Sequence, residues 1–156
     1  MVPDAVLEIA GSNHPSTPGY LESLQTSLQG STSIRFLGYV PEIEVKNIFQ
    51  RARLIVLPYT SAAGTSGVVH QACQHGLPIV ATEIAEFTEM AREEGIAMVF
   101  YSQGNPRELA TRVIGLLTSE RLCSQMSTQN RHAAAGTPMS EVVAAYLRLF
   151  RTRIAR

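Results

Sequence analysis

Apolar residues in this chain follow two rhythms. Short unbroken apolar runs alternate with stretches where apolar residues recur every third or fourth position. The first rhythm predicts strands buried in a parallel sheet, and the second predicts amphipathic helices. Val6 to Ala10 reads as a strand ending at Gly11, followed by the turn-rich "SNHPSTPG". Thr17 to Gln29 carries Tyr20, Leu21, Leu24 and Leu28 at helical spacing, with Gly30 as its expected stop. "SIRFLGYV" predicts a second strand broken by Pro41, and Glu42 to Arg51 a short helix with Val45, Ile48 and Phe49 on one face.

"LIVLP", Leu54 to Pro58, is a continuous apolar run of the kind buried on both faces of a sheet. The loop "YTSAAGTSG" leads from it into a helix, and "PIVAT", Pro78 to Thr82, is the next buried strand. "EFTEMAREEG" suits a helix, "IAMVFY" a strand, and "NPRELATRVIGLLTS" a helix with Asn105 as N-cap and Pro106 as first residue. Ser119 to His132 predicts a further helix. Ser140 to Ile154 predicts a last one, with Val143, Tyr146, Leu147 and Phe150 on one side. Strands separated by single helices imply right-handed crossovers and a parallel sheet with helices on both faces. The expectation is one Rossmann-like α/β domain over residues 1–156, with no linker, repeat or low-complexity tract.

Composition narrows the picture. Lys and Arg number 13, Asp and Glu 13, so the basic footprint of a nucleic-acid binder is missing. Cys73 and Cys123 are the two cysteines, and no Cys/His cluster has metal-ligand spacing. A reducing, cytoplasmic setting is the default expectation. No apolar run reaches the ~20 residues that span a bilayer.

Ligands of open α/β sheets bind beyond the carboxyl ends of the strands. Three loops leave those ends with small or polar residues: "GSNHPSTPG" from Gly11, "GYVPE", and "YTSAAGTSG". The third brings Gly64, Thr65, Ser66 and Gly67 onto a helix N-terminus, where free amides and the helix dipole favour a phosphate. A plain reading competes: Thr65 or Ser66 is only an N-cap and Gly64 only a turn residue. There is no Walker lysine and no G-x-G-x-x-G fingerprint. His14, His70 and Gln71 either face a ligand or are ordinary solvated or satisfied polar residues. Glu83, Glu86 and Glu89 either reach a cleft or line a solvated helix face.

The ordered series "P-D-A-x-L-x-I-x-G", "I-R-F-L-G-Y-V", "A-x-L-I-V-L-P", "x-Q-A-C-Q-H-G-L-P-I-V-A-T" and "E-F-T-E" resembles the C-terminal domain of a GT-B glycosyltransferase. More narrowly it is similar to family 4, the group 1 retaining enzymes, over residues 3 to 150. The resemblance implies a donor-binding domain for a UDP-, GDP- or ADP-sugar, with no metal or other cofactor. Members of that family usually carry two glutamates with seven residues between them. Here those positions hold Ala63 and Gln71, and the aromatic that often follows is Thr65. Gln71 keeps hydrogen-bonding capacity toward a ribose, whereas Ala63 cannot replace a carboxylate. The backbone amides of Thr65, Ser66, Gly67 and Val68 need no particular side chain to cradle a diphosphate. The Gly-Tyr-Val turn implies base contacts from Tyr39 and Val40, and a later family glutamate falls at Glu89, although Ala85 and Glu86 replace the glycines before it.

The resemblance also implies an acceptor-binding N-terminal domain, a first strand and helix, and a basic pair ahead of Met1. The chain is therefore expected to be a piece of a larger enzyme, inactive alone, with an open sheet edge that invites dimerisation. Rival expectations are a nucleotide-binding or regulatory domain that has lost transfer, a GT-B epimerase, and a ligand-free structural domain. The arginines Arg148, Arg151, Arg153 and Arg156 of the last helix either touch anionic lipid at the inner membrane face or simply snorkel beside a packing face.

Overall fold

The structure, a computed structural model, describes residues 2, 4–61, 66–136, 143–144, 146–148 and 150. It divides into two compact units, Met1–Arg51 and Ala52–Arg156.

In the first unit, strand β1 (Leu7–Ala10) pairs in parallel with β2 (Ile34–Gly38). The register runs from Leu7 opposite Ile34 to Ile9 opposite Phe36, then shifts so that Ala10 faces Gly38. The shift coincides with a left-handed Gly38 (φ 64°), a conformation side chains resist. Helix α1 (Tyr20–Ser27) is shorter than the predicted Thr17–Gln29. Gly19 (φ 78°) sets its start, the C-cap is Leu28, and Gly30 turns the chain only after the helix has ended. Helix α2 (Glu42–Arg51) matches its predicted bounds and buries Phe49. Glu8 on β1 holds Arg51 at 2.9 Å and Arg35, its cross-strand partner, at 3.9 Å.

The second unit is a three-stranded parallel sheet in the order β3 (Ile55–Leu57), β4 (Ile79–Thr82), β5 (Met98–Tyr101). Its helices are α3 (Gly67–Gln74), α4 (Ala85–Glu94), α5 (Pro106–Leu117) and α6 (Glu120–Ala135). β4 is central, and all four of its residues are at most 1% exposed. "LIVLP" departs from expectation: only Leu57 of β3 is buried, while Ile55 and Val56 are half-buried. Within this sheet β3 pairs on one side only, so it lacks the double cover that β4 has. Val80, Tyr101, Leu116 and Met126 form the core beneath α5 and α6, with Leu109, Val113 and Leu122 packed against them. Each such side chain contributes roughly 1.5–3 kcal/mol on burial.

The predicted cap of α5 is present: Asn105 Oδ1 accepts from the Glu108 amide at 3.1 Å, and Pro106 opens the helix. The Glu108 carboxylate accepts from the Ser102 amide at 2.9 Å and from Arg112 at 2.8 Å. These bonds hold its carboxyl below the ordinary carboxylate value, the Ser102 amide first. Helix α3 closes through Gly76 (φ 64°). The Gly76 amide donates to Cys73 O and the Leu77 amide to Ala72 O, both at 2.9 Å.

The last predicted helix, Ser140 to Ile154, lies partly outside the described residues. Of its expected apolar face, Val143, Tyr146, Leu147 and Phe150 are exposed rather than packed. Arg151, Arg153 and Arg156 lie outside the described residues.

Candidate functional site

The carboxyl ends of β3, β4 and β5 are drawn together by one polar residue in an apolar strand. The Thr82 hydroxyl, 1% exposed, donates to the Leu57 carbonyl at 3.3 Å and shares a hydroxyl–hydroxyl hydrogen bond with Tyr101 at 3.1 Å. The Glu83 amide then donates to Tyr101 O at 2.8 Å. The loop leaving β3 is anchored by Tyr59, whose ring lies against buried Phe87 of α4 with centroids 5.8 Å apart.

That loop delivers α3. Of the predicted phosphate-binding residues, Ala63, Gly64 and Thr65 lie outside the described residues. Ser66 occupies the N-cap position with extended backbone, yet its side chain makes no capping hydrogen bond. No acidic residue stands in the first turn. Gly67 and Val68 are exposed, while Val69 is fully buried and pins the turn to the core.

The other helix starts are dressed differently. Asn13 Oδ1 accepts from the Leu21 amide of α1 at 2.8 Å, and Asn13 Nδ2 donates to the Glu22 carboxylate at 2.7 Å. That bond holds the Glu22 carboxyl below its ordinary value. Glu42 and Glu44 sit in the first turn of α2, and Glu86 in that of α4. Asn105 and Ser119 cap α5 and α6 with their side chains. Among the described residues, α3 alone of the helices has neither a side-chain cap nor a first-turn acid at its positive end.

Gln71 is half-buried on α3, one turn beyond Gly67 and on the same face. His70 is the satisfied polar residue of the two alternatives. Its Nδ1 lies 3.1 Å from the Ser66 carbonyl and its Nε2 2.7 Å from Glu94 Oε2. Glu83 and Glu89 are exposed, Glu83 just beyond β4 and Glu89 on α4.

In the first unit, Gly11 (φ 131°) follows β1, and its amide donates to Gly38 O at 2.8 Å. That amide is committed to the fold. Tyr39, directly after β2, is 77% exposed, and Val40 is half-buried. His14 is exposed, and its Nδ1 accepts from the Ser16 hydroxyl at 2.6 Å and the Ser16 amide at 3.2 Å within its own loop.

No cluster of three metal-ligating side chains occurs among the described residues, nor any helix there long and apolar enough to cross a membrane. Cys73 is 1% exposed, and burial, with the Glu94 carboxylate second, pushes its thiol up to about 11. A thiol titrating there is neutral and unreactive at pH 8. Native protein is thus expected to release at most one equivalent of thionitrobenzoate from a disulfide reagent, and two after unfolding. Rapid release of two from the native state overturns the placement of Cys73.

These observations define an α/β chain of parallel strands joined by helices, Rossmann-like in type. The model of the group 1 glycosyl transferases matches residues 1–119, and the chain belongs to that family. Among solved structures it is similar to HepE of Anabaena in complex with UDP, with a TM-score of 0.78 and 18% identity over 99% of this chain and 42% of that one. HepE in complex with UDP-glucose gives a TM-score of 0.75 at 18% identity, with coverages of 99% and 42%. Sucrose-phosphate synthase of Thermosynechococcus elongatus gives 0.78 at 16% identity, with coverages of 99% and 40%. A search of curated protein sequences finds no match. The chain spans about two fifths of the length of these solved chains.

Proposed function

We propose that this chain is the donor-binding part of a retaining glycosyltransferase, and that the start of α3 holds the diphosphate of a nucleoside diphosphate sugar. One observation carries the reading. The α3 N-terminus is exposed at Gly67 and Val68, has no side-chain cap from Ser66, and carries no acid in its first turn. Such an end supplies free amides and positive potential where the leaving diphosphate develops charge. Gln71, one turn along, offers an amide to the ribose hydroxyls. Family membership and the UDP-bound state of HepE support the ligand class.

Calorimetric titration of the full 156-residue chain with UDP, GDP and ADP tests the reading. One of them should bind, more weakly as salt is raised, and clearly better than its monophosphate. Replacing Gln71 by alanine should weaken that binding by about three- to tenfold with little change in melting temperature. Equal binding of mono- and diphosphate removes the diphosphate from α3, and no binding by any of the three removes the donor reading.

Ala63 favours a second reading, since a methyl group stands where the family carries the first glutamate of its pair. On that reading the domain binds nucleotide without transfer. Sugar transfer by the longer protein that contains this chain would exclude it.

A further inference from the structure

His70 occupies a helical position that faces two oxygen acceptors on different elements. We propose that His70 is a positioning residue: its ring clips the Ser66 carbonyl at the head of α3 to the Glu94 carboxylate, and so fixes the direction of the first-turn amides. The inference rests on the reading of α3 as the diphosphate cradle.

Three features support the clip. The Ser66 carbonyl accepts twice from one residue, from the His70 amide at 3.2 Å and from its Nδ1 at 3.1 Å. The second bond ties the N-cap residue to a side chain as well as to the helix ladder. Glu94 is the last residue of α4, where the helix dipole disfavours a carboxylate and rewards a donor beside it. The 2.7 Å contact supplies that donor. Finally, both partners of the ring are acceptors, so a ring nitrogen serves each of them only as a donor.

The pair is about two fifths exposed on each side, so it adds little to global stability. Its effect lies in orientation. An unclipped Ser66 leaves the uncapped first turn free to fray, since nothing else described here caps it. Glutamine at position 94 can substitute for the carboxylate: its amide donates to Nε2 and leaves a neutral ring free to donate from Nδ1 to Ser66.

The test uses the full chain with His70→Ala, Glu94→Ala, Glu94→Gln and the double alanine variant. Amide hydrogen exchange of the first turn of α3, melting temperature, and affinity for UDP, GDP and ADP are read together. His70→Ala and Glu94→Ala should each speed first-turn exchange and weaken nucleotide binding about fivefold, with melting points within about 2 °C of the parent. The double variant should be no worse than either single one, and Glu94→Gln should stay within about twofold of the parent. Unchanged exchange in His70→Ala, additive losses, or a Glu94→Gln variant as impaired as Glu94→Ala overturns the clip. If the parent binds no nucleotide, the donor reading falls by itself, and the exchange data alone uphold or overturn the clip.

Discussion

Replacing Asn130 by alanine should destabilise the protein by about 3–4 kcal/mol and lower its melting temperature by roughly 10 °C. Asn130 is fully buried on α6. Its Oδ1 accepts from the Ala97 amide at 2.7 Å, and its Nδ2 donates to Leu77 O at 2.8 Å and Ala97 O at 3.2 Å. One side chain thus satisfies three backbone groups in the segments that enter β4 and β5. Alanine leaves all three in a space no larger than the lost amide, each unpaired group costing on the order of 1 kcal/mol or more. Leucine, similar in volume, should do no better, since it fills the space and satisfies nothing. Scanning calorimetry of Asn130→Ala and Asn130→Leu decides the point. If leucine melts within 2–3 °C of the parent, the three bonds contribute little and packing alone holds α6.

The consequence reaches the candidate site through α3. Leu77 follows directly on the turn that ends α3 and starts the approach to β4. An Asn130 variant that survives at low temperature should therefore also show faster exchange in α3. The start of that helix carries the proposed diphosphate amides, and its far end is held by α6.

Much of this was legible in the chain because it depends on near neighbours. "PIVAT" is a buried central strand, as an unbroken apolar run implies, and Asn105-Pro106 caps and opens α5 through residues three apart. The family was legible in ordered motifs. The start of α3 was not, since Ser66 reads from the sequence as a capping residue and its side chain makes no cap. What escaped depends on distant partners. Asn130 lies 53 positions from Leu77 and 33 from Ala97, and His70 lies 24 from Glu94. No local pattern announces such pairs, and by sequence Asn130 is one polar residue among many on α6. The half-buried state of β3 was hidden for a similar reason: "LIVLP" is as apolar as "PIVAT", and burial follows position in the sheet rather than composition. Helix α1 was drawn too long because apolar spacing continues through Leu28. The left-handed Gly19 and the Asn13 side chain set its start instead.

Gly76→Ala is the second large effect, expected at about 2–3 kcal/mol, and it separates into two terms. The first is backbone conformation. Gly76 holds φ 64°, which costs a residue with a β-carbon about 1–2 kcal/mol. The second is space. A β-carbon here would collide with Arg131 Nε and stand 2.9 Å from both Arg131 Cγ and Ser127 Oγ, all on α6. Arg131 also reaches the His75 carbonyl at 3.4 Å, so its guanidinium lies across the turn and has reason to stay. Only a bare α-carbon lets α6 pass this close to the end of α3. The two terms part company in an Arg131→Ala background. There the steric term shrinks, and Gly76→Ala should lose only the conformational part, about 1–2 kcal/mol. Valine, bulkier at the β-carbon, should exceed alanine in the parent and keep most of its penalty in the Arg131→Ala background, where Ser127 still blocks it. Chemical denaturation of the five single and double variants measures each term. Equal losses from Gly76→Ala in the two backgrounds would mean that Arg131 yields freely, and that left-handed backbone alone fixes glycine at the turn on which α3 is seated.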